Sequence, residues 1–223
     1  MGRSRKRLCI FIAAALILSS CSTPYKSFSS YSIASWYGSE FHGRPTASGE
    51  IFDMNGYTCA HKEFPFGTRL KITNTGNDKS VHCVVNDRGP FVDGRDVDLS
   101  YAAAKDIELI GSGTATVRID KLDRDPSYIK EVRYVSDTGP FTVQVGSFRD
   151  ESNAGRLKTG LELKYSRVYI SKADINGEKF FRVRVGEFQG RGEVKKLASA
   201  LAEEGYSAFV TRYDEKKPDA AKQ

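Results

Sequence analysis

The chain has 223 residues, of which 39% are hydrophobic and 28% are charged, and it contains four Cys. This composition excludes a mainly disordered chain and a membrane protein with several spans, and it suits one or two folded domains. The formal net charge of +6 suggests a nucleic-acid partner at first sight. A basic run at residues 3–7 carries four of these charges, however, and leaves 30 basic against 28 acidic side chains, or +2. We therefore expect no nucleic-acid partner.

An export signal is predicted at the start of the chain. The basic run precedes LCIFIAAALIL at residues 8–18, eleven apolar residues that match a signal-peptide core and fall short of the roughly 20 needed to span a bilayer. Residues 18–21, LSSC, resemble the bacterial lipobox, in which small residues precede a Cys that is lipidated after cleavage. We expect 1–20 to be a lipoprotein signal peptide and Cys21 to carry the lipid. An ordinary cleaved signal with an incidental Cys is the alternative, and Ser22 in place of Asp indicates outer-membrane sorting by analogy.

Export also changes the interpretation of the remaining cysteines, because they would enter an oxidising compartment. Once Cys9 is removed with the signal and Cys21 is acylated, Cys59 and Cys83 can pair only with each other. Such a disulfide would stabilise the fold by about 3 kcal/mol in the chain-entropy model. Two buried free thiols are the alternative.

After a polar, Ser-rich tether at residues 21–30, the pattern predicts a first domain over residues 31–122. Short β-type runs alternate there with turn residues, which indicates a small barrel or sandwich. One helix interrupts these runs from Tyr101 to Ile110, with Ser100 as its N-cap. The predicted strands are 33–37, 69–74, 80–86, 96–99 and 114–119.

A repeat marks the second domain, which is predicted over residues 140–213. The segment VQVGSF at 143–148 returns as VRVGEF at 183–188, and each copy precedes a helical stretch and a further strand. Two such βαβ halves predict a ferredoxin-like, four-stranded antiparallel sheet with both helices on one face. Residues 123–139 are predicted to be a linker and residues 214–223 a disordered tail.

Four segments of the first domain carry a family resemblance: ASWYG at 34–38, FHGRPTASGE at 41–50, PFGT at 65–68 and NDRGP at 86–90. Together they resemble the rare lipoprotein A (RlpA) family. This resemblance implies a six-stranded double-psi β-barrel, in a family whose characterised members cleave or bind peptidoglycan glycan. The second domain resembles a SPOR domain, which implies recognition of glycan strands stripped of their stem peptides.

Asp87 is the leading candidate for a catalytic acid. Cleaving a glycosidic bond without a metal needs one group to protonate the leaving oxygen and one to activate whatever attacks the sugar. Asp87 follows an apolar alternation at a strand end, and because neighbouring strand residues point to opposite faces, Arg88 need not lower its pKa. The family's functional acid aligns with Asp87. The alternative is a turn in which Asp87 bonds backbone amides.

Glu50, Asp53 and His61 occupy the other positions that match the family's proposed site. His61 is suited to relay a proton or to orient a sugar hydroxyl, and its alternative is a surface or capping histidine. Glu50 and Asp53 are expected to bind sugar hydroxyls or to shape the field of the pocket. Asp98 ranks behind Asp87 and is expected to cap the following helix together with Ser100. The three histidines lack metal-ligand spacing, so we expect no metal and no cofactor.

The second domain offers a candidate glycan-binding face. Strand alternation places Gln144, Phe180, Arg182 and Arg184 on one exposed surface of the sheet. This domain holds 13 basic and 9 acidic side chains, whereas the first holds 10 and 12. The excess suits glycan with free lactyl carboxylates, which arginine forks bind well. A merely solvated face is one alternative, and an RNA-binding sheet is another that the export signal argues against.

The resemblance implies an endolytic lytic transglycosylase, a carbon-oxygen lyase that cleaves the MurNAc-GlcNAc bond of peptide-free strands and forms 1,6-anhydroMurNAc. The protein is predicted to be anchored by its lipid to the outer membrane, where it faces the periplasm and is enriched at division septa. Septal division proteins are expected as further partners. The alternative is a non-catalytic peptidoglycan-binding septal lipoprotein. Cys59 and Cys83 depart from the family pattern, and a bridge between them would reshape the groove near His61.

Overall fold

The computed structural model describes residues 28–213. The predicted signal peptide, the predicted lipidation site Cys21 and the predicted tail therefore lie outside the described residues. Of the predicted tether, residues 29–30 already belong to the first strand. Between residues 28 and 213, no helix combines the length and apolar character needed to cross a bilayer.

Six strands close into a barrel in the order β1-β5-β2-β4-β3-β6, with β1 parallel to β5 and β2 parallel to β4. This closed, six-stranded barrel confirms the predicted fold class of the first domain. The local sequence pattern missed β2, because TCAH is too short to show an alternation of its own. The strands are β1 Ser29–Trp36, β2 Thr58–His61, β3 Thr68–Asn74, β4 Ser80–Asp87, β5 Val97–Leu99 and β6 Ala115–Arg124.

Strand β4 shows how the barrel is packed. Val81, Cys83 and Val85 are buried in the core while His82 between them is exposed, which is the two-residue period of a strand with one buried face. Cys83 forms a disulfide with Cys59 of β2, with the two Cα atoms 5.9 Å apart. The two cysteines are therefore bridged rather than free.

Helix α1, Tyr101–Asp106, follows β5 directly. The Ser100 side chain accepts a hydrogen bond from the amide of Ala103, so Ser100 is the N-cap that the sequence predicts. The helix ends four residues earlier than expected, because Glu108 adopts a φ of 56° that lies outside the right-handed helical region.

The second domain contains the two predicted βαβ halves and one additional strand. Its central antiparallel strands β8 and β10 carry the two copies of the repeat. The segment predicted as a linker contributes β7, which pairs in parallel with β11 and makes the sheet five-stranded, in the order β7-β11-β8-β10-β9. The elements are β7 Val132–Tyr134, β8 Phe141–Phe148, α2 Glu151–Glu162, β9 Val168–Ile175, β10 Glu178–Phe188, α3 Arg191–Glu203 and β11 Ala208–Arg212.

Buried contacts join the two domains. Arg88, at the end of β4, is only 2% exposed and donates from Nε to the Tyr206 hydroxyl at 2.5 Å. Its guanidinium lies 3.8 Å from the centre of the Phe66 ring, which packs edge-on against Tyr206. The Phe66 amide donates to the carbonyl of Glu204 at 3.0 Å. Gly160 of α2 lies against the Arg88 side chain, so α2 of the second domain runs beside the end of β4, where Asp87 lies.

Candidate active site

Strand register brings two carboxylates into one row across the barrel. Asp98 of β5 pairs with Ser35 of β1 on one side and with Ala60 of β2 on the other, and Ala60 pairs in turn with Asp87 of β4. Residues in register project from the same face of a sheet. Because the residues on either side of Asp98 pack in the barrel core, this row faces outward. In this row only the methyl side chain of Ala60 lies between Asp98 and Asp87.

Asp87 combines burial with three hydrogen bonds. Its Oδ1 accepts from the amides of Ala47 and Arg88, both at 2.8 Å, and its Oδ2 accepts from the Tyr37 hydroxyl at 3.0 Å. Burial raises the pKa of Asp87 above its ordinary value, while the two amides, the Arg156 guanidinium and the Tyr37 hydroxyl oppose that shift. The carboxyl is thus held rigidly by the turn amides and is also easier to protonate than an exposed aspartate.

Tyr37 is a site residue that the sequence did not single out. Its ring packs against Phe41 at 5.4 Å and Phe52 at 5.1 Å between ring centres. Burial and then the charges of Asp87 and Asp98 raise the pKa of Tyr37 well above its ordinary value. The phenol therefore stays protonated at neutral pH and donates a hydrogen bond to the Asp87 carboxylate.

A hairpin covers this part of the row. Pro45 and Ile51 form a β-bridge, and Thr46 donates from its amide to the carbonyl of Glu50 at 2.8 Å. The turn between them brings the amide of Ala47 to Asp87. Glu50 accepts from the side-chain amide of Asn86 at 2.8 Å, so the structure places Glu50 beside the residue that precedes Asp87.

Asp53 lies apart from the carboxylate row. Its side chain is exposed, accepts from the amide of Asn55 at 3.0 Å and lies 3.7 Å from Nδ1 of His42. Within residues 28–213, no hydrogen bond or ion pair joins Asp53 to Asp87. The predicted role of Asp53 in binding sugar hydroxyls stays a prediction.

His61 has the bonding pattern of a capping histidine. Its Nδ1 accepts from the amides of Glu63 and Phe64, each at 3.1 Å, and its ring stacks on that of Phe64 at 4.0 Å. Burial, followed by the nearby Arg88 charge, lowers the pKa of His61 to about 4. His61 is therefore neutral at neutral pH, with its proton on Nε2. No hydrogen bond joins it to Asp87 among the described residues, and its predicted relay role stays untested.

Asp98 has a different role from the one expected. Ser100 caps α1 with its own hydroxyl, whereas the Asp98 carboxylate accepts a hydrogen bond from Ser35 Oγ. Burial raises the pKa of Asp98; Ser35 and Arg95 oppose this shift, and the Asp87 charge adds to it. The prediction of a helix cap was wrong, because the register with β1 brings Asp98 to a hydroxyl that lies 63 positions away in the sequence.

The open face of the second sheet differs from its prediction at one position. Gln144, Phe180 and Arg182 are half-buried, whereas Arg184 is only 2% exposed. Arg184 pairs in register with Tyr169 of the neighbouring strand β9 and hydrogen-bonds with its phenol. The prediction that Arg184 is exposed was wrong, because the large Tyr169 side chain stands beside it.

A cleft of about 660 Å³ lies between this sheet and the hairpin that covers Asp87. On the barrel side it is lined by Pro45 and residues 47–49, and on the sheet side by residues that include Gln144, Phe180 and Phe209. The predicted glycan-binding face and the loop that holds the candidate acid therefore open onto the same space. No group of His, Cys, Asp or Glu within residues 28–213 is arranged to hold a metal ion.

Two family models match the chain. The model described as lytic transglycolase matches residues 29–119, and the model of the SPOR domain matches residues 137–212. The two matches fall on the barrel and on the second sheet domain respectively.

Curated relatives cover both domains. The chain is 37% identical over 186 residues to the endolytic peptidoglycan transglycosylase RlpA of Vibrio cholerae, covering 83% of this chain and 70% of that protein. It is also 37% identical to the protein of that name from Campylobacter jejuni, covering 81% of this chain and 70% of the relative. The Helicobacter pylori relative is 34% identical, with 81% of this chain and 62% of that protein covered.

Proposed function

Because the chain belongs to the RlpA family of endolytic peptidoglycan transglycosylases, we propose that it cleaves the MurNAc-GlcNAc bond within peptide-free glycan strands and leaves 1,6-anhydroMurNAc ends. Membership of this family agrees with the enzyme class expected from the sequence. The observation that carries the proposed mechanism is the Asp87 carboxyl, which is buried beneath a hairpin, has a raised pKa and is held by Ala47, a residue that lines the cleft of about 660 Å³.

In the proposed reaction Asp87 acts first as an acid and then as a base. Protonated Oδ2 gives its proton to the glycosidic oxygen, and the bond from that oxygen to the anomeric carbon of the muramyl residue breaks. The muramyl 6-hydroxyl oxygen then bonds to the same carbon, and its proton returns to Asp87. No water is consumed, and one carboxyl suffices because the nucleophile belongs to the substrate.

Tyr37 and Asp98 support that carboxyl. The two amides hold Oδ1 in place, so that Oδ2, beside the Tyr37 hydroxyl, is the oxygen available to exchange a proton. Asp98 lies in the same row and, when ionised, provides negative charge near the sugar carbon as positive charge develops there. We expect Glu50, which follows the cleft-lining residues 47–49 on the hairpin, to bind a sugar hydroxyl.

Replacement of the acid tests the mechanism. We expect Asp87→Asn to lower turnover by about 10² to 10⁴, the usual contribution of general acid catalysis, because the amide has no proton to donate at neutral pH. The readout is mass spectrometry of 1,6-anhydro ends released from purified peptide-free glycan. Asp78→Asn is the matched control, since Asp78 is exposed in the β3–β4 turn. An Asp87→Asn rate equal to the control rate would remove Asp87 from the reaction.

The second candidate is a binding protein without chemistry. It is favoured by the two hydrogen bonds that backbone amides donate to Asp87, because such hydrogen bonds also occur where an aspartate only stabilises a turn. On this alternative the purified protein binds peptide-free glycan but releases no anhydro ends. The same mass-spectrometric assay on the wild-type protein separates the two candidates.

We further propose that the protein is a lipoprotein of the outer membrane, anchored through Cys21, and that the second domain enriches it at division septa. The half-buried Phe180 and Arg182 on the open sheet face support a surface for sugar rings and carboxylates. Metabolic labelling with a fatty acid should mark the wild-type protein and not Cys21→Ser. The double variant Phe180→Ala, Arg182→Ala should lose its septal band in fluorescence microscopy, and a retained band would contradict this role of the sheet.

A further inference from the structure

The second domain supplies one side chain to the pocket over Asp87. Arg156, on α2, lines the same depression as Asp87, together with Tyr37, Phe41 and Arg44 of the barrel. Its guanidinium lies 5.1 Å from the centre of the Phe41 ring, which packs in turn against Tyr37, the hydrogen-bond donor to Asp87. Both domains therefore line this depression, whose volume of about 10 Å³ has room for one water-sized group, so that a sugar would meet Arg156 at its rim.

The position of Arg156 is fixed from its own helix. Nη2 donates to Oδ1 of Asn153, one turn earlier, at 2.7 Å, and Asn153 is only 6% exposed. A guanidinium has five N–H donors, so this bond leaves most of them available. Phe41 supports the other side of the group. Arg156 is thus pre-oriented at the pocket with donors to spare.

Two positively charged side chains, Arg156 and Arg44, lie close together at this depression. Arg44 lies 5.8 Å from the centre of the same Phe41 ring. Over residues 28–213, neither Arg44 nor Arg156 has an acidic oxygen within ion-pair distance, although the Arg156 charge acts to lower the pKa of Asp87 and the Arg44 charge acts to lower that of Asp150. The half-buried Arg156 and the exposed Arg44 together provide a site for an anionic group of a ligand.

We propose that Arg156, assisted by Arg44, binds the free lactyl carboxylate of the muramyl residue at the cleavage site. This inference rests on the proposed transglycosylase function and names the feature of the substrate that the catalytic pocket recognises. In peptide-free glycan the lactyl group ends in a carboxylate, whereas a stem peptide converts it to a neutral amide and adds bulk. The second domain therefore contributes to substrate selection at the reacting sugar as well as on its sheet.

Two forms of one substrate test this assignment. Peptide-free glycan oligosaccharides are used with their lactyl carboxylates free or converted to the methylamide. We expect wild-type kcat/KM to be about 10- to 100-fold higher on the free form, the scale of a hydrogen-bonded charge. Arg156→Gln should bring that ratio close to one. The ratio is the readout, because loss of the Arg156 charge also raises the pKa of Asp87 and so changes the rate on both forms. Arg156→Lys, which keeps a charge but not the fork, should retain part of the preference.

Lys158→Gln is the matched control, because it removes the same charge from the same helix at a residue that pairs with Glu162. It should keep the wild-type ratio. An Arg156→Gln enzyme that retains the preference, or that loses activity equally on both forms, would overturn the proposal.

Binding separates this inference from the function on which it rests. Calorimetry with the same oligosaccharides, in an Arg182→Gln background that weakens the sheet, should show Arg156→Gln reducing affinity only for the carboxylate form. Equal affinities of the two proteins for that form would refute the role of Arg156 even if both cleave glycan. A wild-type protein that discriminates in binding but releases no anhydro ends would instead refute the transglycosylase function alone.

Discussion

The outer row of the barrel and the open face of the second sheet are built alike, yet they are covered differently. Each is a line of side chains in register, from Ser35 through Asp98 and Ala60 to Asp87 in the barrel, and from Tyr169 through Arg184 to Gln144 in the sheet. The hairpin over the barrel row buries Asp87 and raises its pKa. In the sheet row Arg184 is also buried, whereas Gln144 is half-buried and lines the cleft. The barrel row therefore offers a buried carboxyl that can exchange a proton, whereas the sheet row offers a phenol, a guanidinium and an amide, which suit binding.

A second contrast concerns two neighbouring residues. Asp87 points to the pocket, whereas Arg88 points into the domain interface and reaches Tyr206. The chain thus connects the candidate acid directly to the contact between the domains. The two domains are therefore expected to behave as one unit, and the following variants are designed to break that unit or to measure its parts.

The largest effect on stability is expected for Arg88→Ala. It removes the buried guanidinium that contacts Tyr206 and Phe66 and leaves the acceptors of its hydrogen bonds, among them the Phe64 carbonyl, without a donor. We expect the free energy of unfolding to fall by about 2–4 kcal/mol. Chemical denaturation provides the measurement, with the exposed Arg69→Ala as control. Equal stability of the two variants would mean that the interface contributes little.

Loss of the disulfide should come next. The bridge between Cys59 and Cys83 closes a sequence separation of 24 residues within the barrel, which predicts a loss of about 3 kcal/mol in the chain-entropy model. The variant Cys59→Ala, Cys83→Ala should unfold at lower denaturant concentration than the oxidised wild type. Added reductant should destabilise the wild type only. If reductant destabilised the variant as well, the effect would not come from this bridge.

The smallest effect is the pH dependence that Asp87 contributes to stability. Because burial raises its pKa in the folded state above the ordinary value of 3.8, the folded state binds the proton more tightly than the unfolded state. The stability of the wild type relative to Asp87→Asn should therefore be greatest below pH 3.8 and decrease as the pH rises through the folded pKa. Denaturation curves at several pH values measure this difference. The opposite slope would show that the hydrogen bonds from the two backbone amides lower the pKa of Asp87 by more than burial raises it.

The sequence predicts features that depend on residues close together in the chain. It does not predict side-chain contacts between residues that are far apart in the sequence. The strand-end position of Asp87, the Ser100 cap and the repeat that becomes β8 and β10 follow from local patterns. The burial of Arg184 depends on Tyr169, which lies on another strand. Asp98 could not be placed without the barrel register.

Arg156 is the clearest example of a residue near Asp87 that the local sequence does not predict. It lies 69 positions after Asp87, in another domain, and its own helix shows only the charge pattern of a solvated surface. Its position at the pocket follows from the domain interface, which no spacing in the sequence encodes. The contact of Tyr37 with Asp87 is likewise not visible in the local sequence, because Tyr37 stands in an aromatic and apolar segment and its hydroxyl reaches the carboxylate only in the folded barrel.

The most direct test of the central claim is to run the reaction in water labelled with heavy oxygen. If Asp87 transfers its proton while the muramyl 6-hydroxyl attacks the anomeric carbon, the newly formed sugar ends are anhydro rings that contain no heavy oxygen. Mass spectrometry of the wild-type products should show only such unlabelled ends. Reducing ends that carry heavy oxygen would show that water attacks the sugar, and would contradict the proposed mechanism.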